Sequence, residues 1–290
     1  MKHHTITDDL EKEIIQNYLS KPMSIGECAT KFDLCKVTVS RILNRNNIKK
    51  YDRNILYSPN LNEDFFEIID SEEKAYFLGL IITDGNVFDL KRQNGSMNIN
   101  ITQNDSDAYI LEKFLQCVGS NRKVASDGRG CSQATVISKK MAEDLAQYGV
   151  FPNKTLFATL PLLDDELIPH LIRGILDGDG NITAHIITNK VTKKQKYLHA
   201  ISFCGSRVLM NQLSDYISER LGITRKSVYT YSDRYLSEVK WANVLEMFEL
   251  GMYLYSNATI FLDRKCEIFL DFLYHYDLVD YSELDLIEMD

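Results

Sequence analysis

Two stretches of the chain are apolar almost without interruption, and both close in the same way. The first reads Phe77-Leu78-Gly79-Leu80-Ile81-Ile82-Thr83-Asp84-Gly85, the second Leu171-Ile172-Arg173-Gly174-Ile175-Leu176-Asp177-Gly178-Asp179-Gly180. Aligned on Gly79 and Gly174, both follow G-[LI]-[IL]-x-[TG]-D-G and continue into Asn86-Val87 and Asn181-Ile182. A repeated element of this kind marks an internally duplicated fold. Each copy predicts a helix. Asp70 or Ser71 starts the first, with Glu72 and Glu73 in its opening turn, where the helix dipole favours acids. Asp164 or Asp165 starts the second, expected over about 165–177. Gly85 and Gly180 stop them.

Inside each helix, small residues recur four apart: Gly79 and Thr83, then Gly174 and Gly178. Residues at this spacing share a face, and glycine within a helix costs roughly 1 kcal/mol against alanine, so it calls for a packing reason. Two helices pressed together along these faces would bring Asp84 and Asp179 to one place. Two carboxylates at the negative ends of two helix dipoles repel each other, and cations relieve that repulsion.

Between and after these helices the period changes. Strand-like runs near 86–91 and 96–103 flank the turn Asn94-Gly95, a strong hairpin signal. Met97, Ile99 and Ile101 alternate with Asn98, Asn100 and Thr102. A helix is expected at 105–118, strands at 121–126 and 132–138, and a helix at 139–148. The second half repeats the order, with strands near 181–189 and 196–204, a helix at 206–221, strands near 225–231 and 234–240, and helices near 241–250 and 258–274. The expected architecture is α+β: two pseudo-symmetric αββαββα halves, 58–164 and 165–276, whose four-stranded antiparallel sheets form one curved saddle.

The N-terminal pattern is all-helical. Residues 8–20 place Leu10, Ile14, Ile15 and Tyr18 on one helical face, and Pro22 ends that helix. Residues 24–43 resemble a helix-turn-helix of the recombinase or transposase type. Ala29 falls where the first helix must be small, Val39 and Ile42 where the second packs back, and Asp33 occupies the turn position usually held by glycine. This resemblance implies that residues 1–57 are a DNA-binding domain with its linker. Lys36, Thr38, Ser40, Arg41 and Arg45 would then lie on the exposed recognition helix.

Composition changes the picture little; charge changes it more. The formal net charge of −8 argues against nucleic acid at first sight. Its distribution argues otherwise. Residues 1–57 carry ten basic and seven acidic side chains, whereas 271–290 carry seven acids and neither lysine nor arginine. The terminal 277–290 read as an acidic tail. In the halves, Arg92, Arg122, Lys123, Arg129, Lys190, Lys193, Lys194, Lys196, Arg225, Lys226, Arg234 and Lys240 concentrate in strands and hairpins, an arrangement suited to phosphate contacts from a β-surface. The six cysteines make no CxxC and do not cluster with histidine, so neither a zinc site nor a disulfide framework is expected. No run of about 18 apolar residues and no signal-peptide core are present. A cytoplasmic protein without membrane contact is expected, nucleoid-associated when on DNA.

The doubled motif resembles the two LAGLIDADG motifs of a single-chain homing endonuclease, over roughly residues 65–270. The resemblance implies a monomeric, site-specific endonuclease that hydrolyses both strands of a long, asymmetric double-stranded DNA site with Mg²⁺ or Mn²⁺. It implies Asp84 and Asp179 as metal ligands, Gln103 as the polar residue that positions water, and Lys154 as a basic active-site residue. In the second half, Ser206 aligns with Gln103 through the interval to Gly119 and Gly222, and Asn257 or the Arg264-Lys265 pair are candidates for the lysine counterpart. Leu78 and Arg173 stand where the family usually has alanine, and Ile82 replaces the first aspartate. Arg173 is therefore expected on the outer side of its helix. Two other readings use the same fold: a non-cleaving DNA-binding transcriptional regulator, and an RNA maturase that assists intron splicing.

Overall fold

The structure is a computed structural model, and it describes residues 6–51, 58–89, 97–152, 154, 157–231 and 236–278. The chain divides into two compact units. Residues 1–61 with 119–122 make the first, and residues 62–118 with 123–290 the second.

The first unit holds α1 (Asp8–Ser20), α2 (Ile25–Lys31) and α3 (Lys36–Arg45). Thr7 caps α1. A reciprocal pair, Ser24 and Glu27, caps α2, satisfying two otherwise orphaned backbone donors. Asp33 sits in the turn at φ 52°, the left-handed conformation the sequence required of it. Ile14, Tyr18, Cys28, Ala29, Val39, Ile42 and Leu43 form the core of this unit.

The second unit opens with α4 (Glu72–Asp84), capped by Ser71. Then come β1 (Gly85–Asp89), β2 (Met97–Asn104), a 3₁₀ turn at Asp105–Asp107, α5 (Ala108–Cys117), β3 (Ala125–Ser126), β4 (Cys131–Ile137) and α6 (Lys139–Gln147). The second half runs α7 (Ile168–Asp179), β5 (Gly180–Thr188), β6 (Gln195–Gly205), α8 (Arg207–Leu221), β7 (Tyr229–Thr230), β8 (Ser237–Trp241), α9 (Val244–Tyr255) and α10 (Asp263–His275). The two antiparallel sheets have the orders β1-β2-β4-β3 and β5-β6-β8-β7, so the halves are topological copies. Ile99, Ile101, Ala134 and Val136 bury one face of the first sheet, and Ile201, Phe203, Val239 and Trp241 one face of the second.

Three local expectations change. The second motif helix begins at Ile168, not at 165, because residues 164–167 close a turn first and Pro169 suits a helical first turn. Strands expected over 121–126 and 225–231 shrink to the two-residue β3 and β7. Gly85 and Gly180 end their helices in extended conformation (φ −84° and −94°), not as left-handed caps. They are glycine for space, since a Cβ on Gly85 would lie 2.5 Å from the Ile81 carbonyl oxygen and one on Gly180 2.6 Å from that of Leu176. Among the described residues no helix is long and apolar enough to cross a membrane, and all six cysteines are free thiols.

Candidate active site

The site is built by α4 crossing α7. A Cβ on Gly79 would stand 2.1 Å from the Leu171 carbonyl oxygen, and one on Gly174 would stand 2.1 Å from that of Tyr76. The contact is reciprocal: each glycine meets the backbone three residues ahead of the other. Backbone-to-backbone packing of this closeness excludes any side chain. One turn further on, Gly178 leaves room for the Thr83 side chain, and its Cβ position lies 3.3 Å from Asp84 Oδ2. The seam thus sets the Asp84 carboxylate against the last turn of α7, one residue before Asp179.

Gln103, at the end of β2, donates from Nε2 to Asp84 Oδ2 at 2.6 Å. Lys154 donates to the Gly85 carbonyl. Lys265, on α10, donates to the carbonyls of Gly180 (2.8 Å), Leu176 (2.5 Å) and Asp177 (2.9 Å). Lys154 and Lys265 therefore occupy matching places, each on the carbonyl of the glycine that follows a motif aspartate. Of the second-half lysine candidates, the geometry selects Lys265; Arg264 turns instead to Asp107 at 2.9 Å. Both lysines are buried.

The four charges perturb one another. Burial, then repulsion from Asp179, pushes the Asp84 carboxyl up from 3.8 to about 6, against the hydrogen bond from Gln103. Asp179 keeps an exposed edge, yet the protein packed around it still raises its carboxyl, against Lys154 and Lys265. Burial draws Lys154 and Lys265 down to about 8, against the attraction of the nearby acids. Among the described residues no close ion pair joins either lysine to either acid. Two neighbouring carboxylates, both made costly to ionise by burial and Asp84 also by the charge on Asp179, are what a hard cation stabilises, and oxygen donors of this kind suit Mg²⁺. No group of three or more His, Cys, Asp or Glu gathers among the described residues. Any cation held here would take its remaining ligands from backbone carbonyls, water or a bound anion.

Two readings from sequence are corrected. Ser206 is not the counterpart of Gln103. In the strand pairing Gly85 lies opposite Ile101 and Gly180 opposite Phe203. Two residues on, Gln103 faces Ser132, and Gly205 faces Ser237. The counterpart is Gly205. Ser206 instead caps α8 through Leu209 and donates to the Ala158 carbonyl. Arg173 is not on the outer side of its helix; it is fully buried. It donates to the carbonyls of Ile260 and Leu254, both at 2.7 Å, and pairs with Glu72 at 2.5 Å. Glu72 in turn accepts from the Thr259 backbone. Asp177 is also buried, accepting from Tyr76 Oη at 2.8 Å and from Leu262 N at 2.9 Å. Arg173 and Asp177 thereby pin the segment from Leu254 to Leu262 to the helix pair.

The other expected DNA contacts divide. Lys36 and Arg41 are exposed on α3, while Thr38 interacts with Cys35, Ser40 accepts from Lys50, and Arg45 pairs with Glu11. Lys123, Arg129, Lys190, Lys193, Lys194, Lys196 and Lys240 are exposed, and Arg122 is half-buried. Arg225 pairs with Asp215, and Lys226 with Glu246 at 2.5 Å, so acids on α8 and α9 engage both. Arg92 and Arg234 lie outside the described residues. Opposite the buried face of the first sheet stand Asn86, Asn98, Asn100, Thr102, Gln133 and Thr135. Asn86 pairs with Asn100, Asn100 with Thr135 and Thr102 with Gln133, and Gln133 donates to the Thr102 hydroxyl at 3.2 Å. This neutral ladder of amides and hydroxyls was visible in the strand alternation but carries no charge to single it out.

No protein-family model matches the chain, and no curated protein matches it in sequence. Solved structures do. The LAGLIDADG meganuclease I-AabMI, bound to uncleaved DNA, is 11% identical with a TM-score of 0.52, over 72% of this chain and 91% of that one. The LAGLIDADG homing endonuclease I-SmaMI, bound to cleaved DNA, is 12% identical with a TM-score of 0.50, over 76% of this chain and 92% of that one. I-SmaMI on an uncleaved target in the presence of calcium ions is 11% identical with a TM-score of 0.50, over 75% and 97%. At this identity the likeness establishes the fold: the chain has that of the LAGLIDADG meganucleases.

Proposed function

We propose that the protein is a homing endonuclease that hydrolyses both strands of an asymmetric DNA site with divalent metal. One observation carries the reading: the glycine seam brings Asp84 and Asp179 together, each followed by a glycine whose carbonyl holds a buried lysine. A fold needs no such pair of destabilised acids; phosphodiester hydrolysis does. Asp84 and Asp179 would hold the divalent ions, which when bound neutralise charge on the scissile phosphate and acidify water. Gln103 fixes the Asp84 carboxylate and keeps its own amide oxygen for water. Lys154 and Lys265, drawn down to about 8, hold a proton on Nζ at neutral pH within reach of the acids' surroundings. The amide and hydroxyl ladder of the first sheet suits base edges in a groove, and the exposed lysines suit phosphates. The neighbouring folds' DNA complexes support this use of the surface, as do Lys36 and Arg41 on α3 for an additional contact.

The test is cleavage of a supercoiled plasmid carrying the uninterrupted sequence of the locus that hosts this reading frame. Linear product should form with Mg²⁺ or Mn²⁺ and cease with chelator. Tight binding with no cutting under either metal would overturn the nuclease reading in favour of a regulator.

A further inference from the structure

The two halves of the site are not equally equipped. We propose that the enzyme cuts its two strands in a fixed order, because Gln103 serves the Asp84 side while Gly205 leaves the equivalent place on the Asp179 side empty of any side chain. The inference rests on the endonuclease reading and deepens it.

The equivalence comes from the sheet register. Gln103 and Gly205 each stand two residues beyond the partner of a motif glycine, and each faces a buried serine, Ser132 or Ser237, on the next strand. The acids and the lysines are matched. Each half supplies one acid at a helix end, and each supplies one buried lysine on the following glycine's carbonyl. The amide is the exception. Asp84 receives a side-chain hydrogen bond at 2.6 Å, whereas Asp179 receives none among the described residues. The reaction is the same on both strands: a water oxygen bonds to phosphorus, the bond to the leaving deoxyribose oxygen breaks, the water's proton passes to solvent, and the leaving oxygen takes one up. What differs is the orientation of the carboxylate and of the water beside it. Gln103 is a positioning residue acting through Asp84. Misplacing a reacting group by about 1 Å costs up to roughly a hundredfold in rate, so a strand-rate ratio of about ten or more is expected.

The experiment uses the full-length protein and the same locus plasmid, plus a linear duplex of that site with a different fluorophore on each strand. Wild type should accumulate nicked plasmid with one defined strand cut about tenfold faster. Gly205→Gln should accelerate the slow strand and leave the fast one unchanged. Its Cβ would meet only the ends of the Met210 and Leu209 side chains, at 3.2 and 3.5 Å, which can give way. Gly205→Ala, adding bulk without an amide, should rescue nothing. Gln103→Gly should slow the fast strand and shrink the bias. Equal strand rates in wild type, or a bias that none of these substitutions moves, overturns the inference while leaving the endonuclease reading intact. Absence of cutting on either strand overturns both.

Discussion

Asp84 shows how much of the account rests on single side chains. Its carboxyl is raised from 3.8 to about 6, so the folded protein binds that proton more tightly than the unfolded chain does. The associated stability is present at low pH and is lost as pH rises from about 4 through about 6. Function runs the other way, since a cation needs the ionised form. In metal-free protein the melting temperature should therefore fall between pH 5 and pH 7.5, and excess Mg²⁺ should restore it at pH 7.5 more than at pH 5, as read by scanning fluorimetry. Asp84→Asn should reduce that fall and leave the share that Asp177, pushed by burial to about 6, and Asp179 contribute in the same direction. Glu72 does not confuse the window: it is held down at about 2, so its contribution is lost only in stronger acid. A melting temperature that rises from pH 5 to 7.5 without metal, and ignores Mg²⁺, would contradict this picture. Other residues were less legible. Arg173 looked like a surface residue because arginine in a helix usually is; its buried carbonyl partners, Leu254 and Ile260, come from a segment some eighty residues away and leave no local trace.

At the scale of elements, the seam between α4 and α7 was the most legible feature. Glycine pairs at helical spacing have few other uses, and the caps at Ser71, Gly85 and Gly180 bounded the helices closely. Gly79→Ala or Gly174→Ala tests it. Alanine gains roughly 1 kcal/mol of helix propensity, but its Cβ would fall 2.1 Å from backbone oxygen. Backbone cannot rotate away, so overpacking of about 1–3 kcal/mol or more should dominate. Either variant should lower the denaturation midpoint and widen the distance between the two carboxylates; a midpoint unchanged or raised would show that the helices are not in contact there. The register of the second half was less legible. A 3₁₀ turn, Asp105–Asp107, separates β2 from its helix, whereas β6 passes through a single cap, Ser206, into α8. Counting from the following glycine therefore slips by one residue and picks Ser206 in place of Gly205. Strand pairing fixes what counting along the chain could not.

For the whole molecule, overall acidity is a poor guide, since along the sequence residues 271–290 carry seven acids and no lysine or arginine, while residues 1–57 carry more bases than acids. The N-terminal unit was read correctly in its helices and its core, because Asp33, Ala29 and Val39 each answer a local packing demand. Its partner is a proposal with its own test: Lys36→Ala or Arg41→Ala should lower DNA affinity across sequences and reduce the slope of log affinity against log salt by about 1 each. An unchanged slope would remove α3 from the DNA contact.

The most direct measurement compares wild type with Asp84→Asn and Asp179→Asn on the locus plasmid, following binding and linear product together. Both variants should bind DNA within about twofold of wild type, since each removes one charge from a surface with many contacts, and neither should yield linear product in Mg²⁺ or Mn²⁺. Full double-strand cutting by either variant would contradict the claim that these two acids, brought together by a glycine seam, form one catalytic centre.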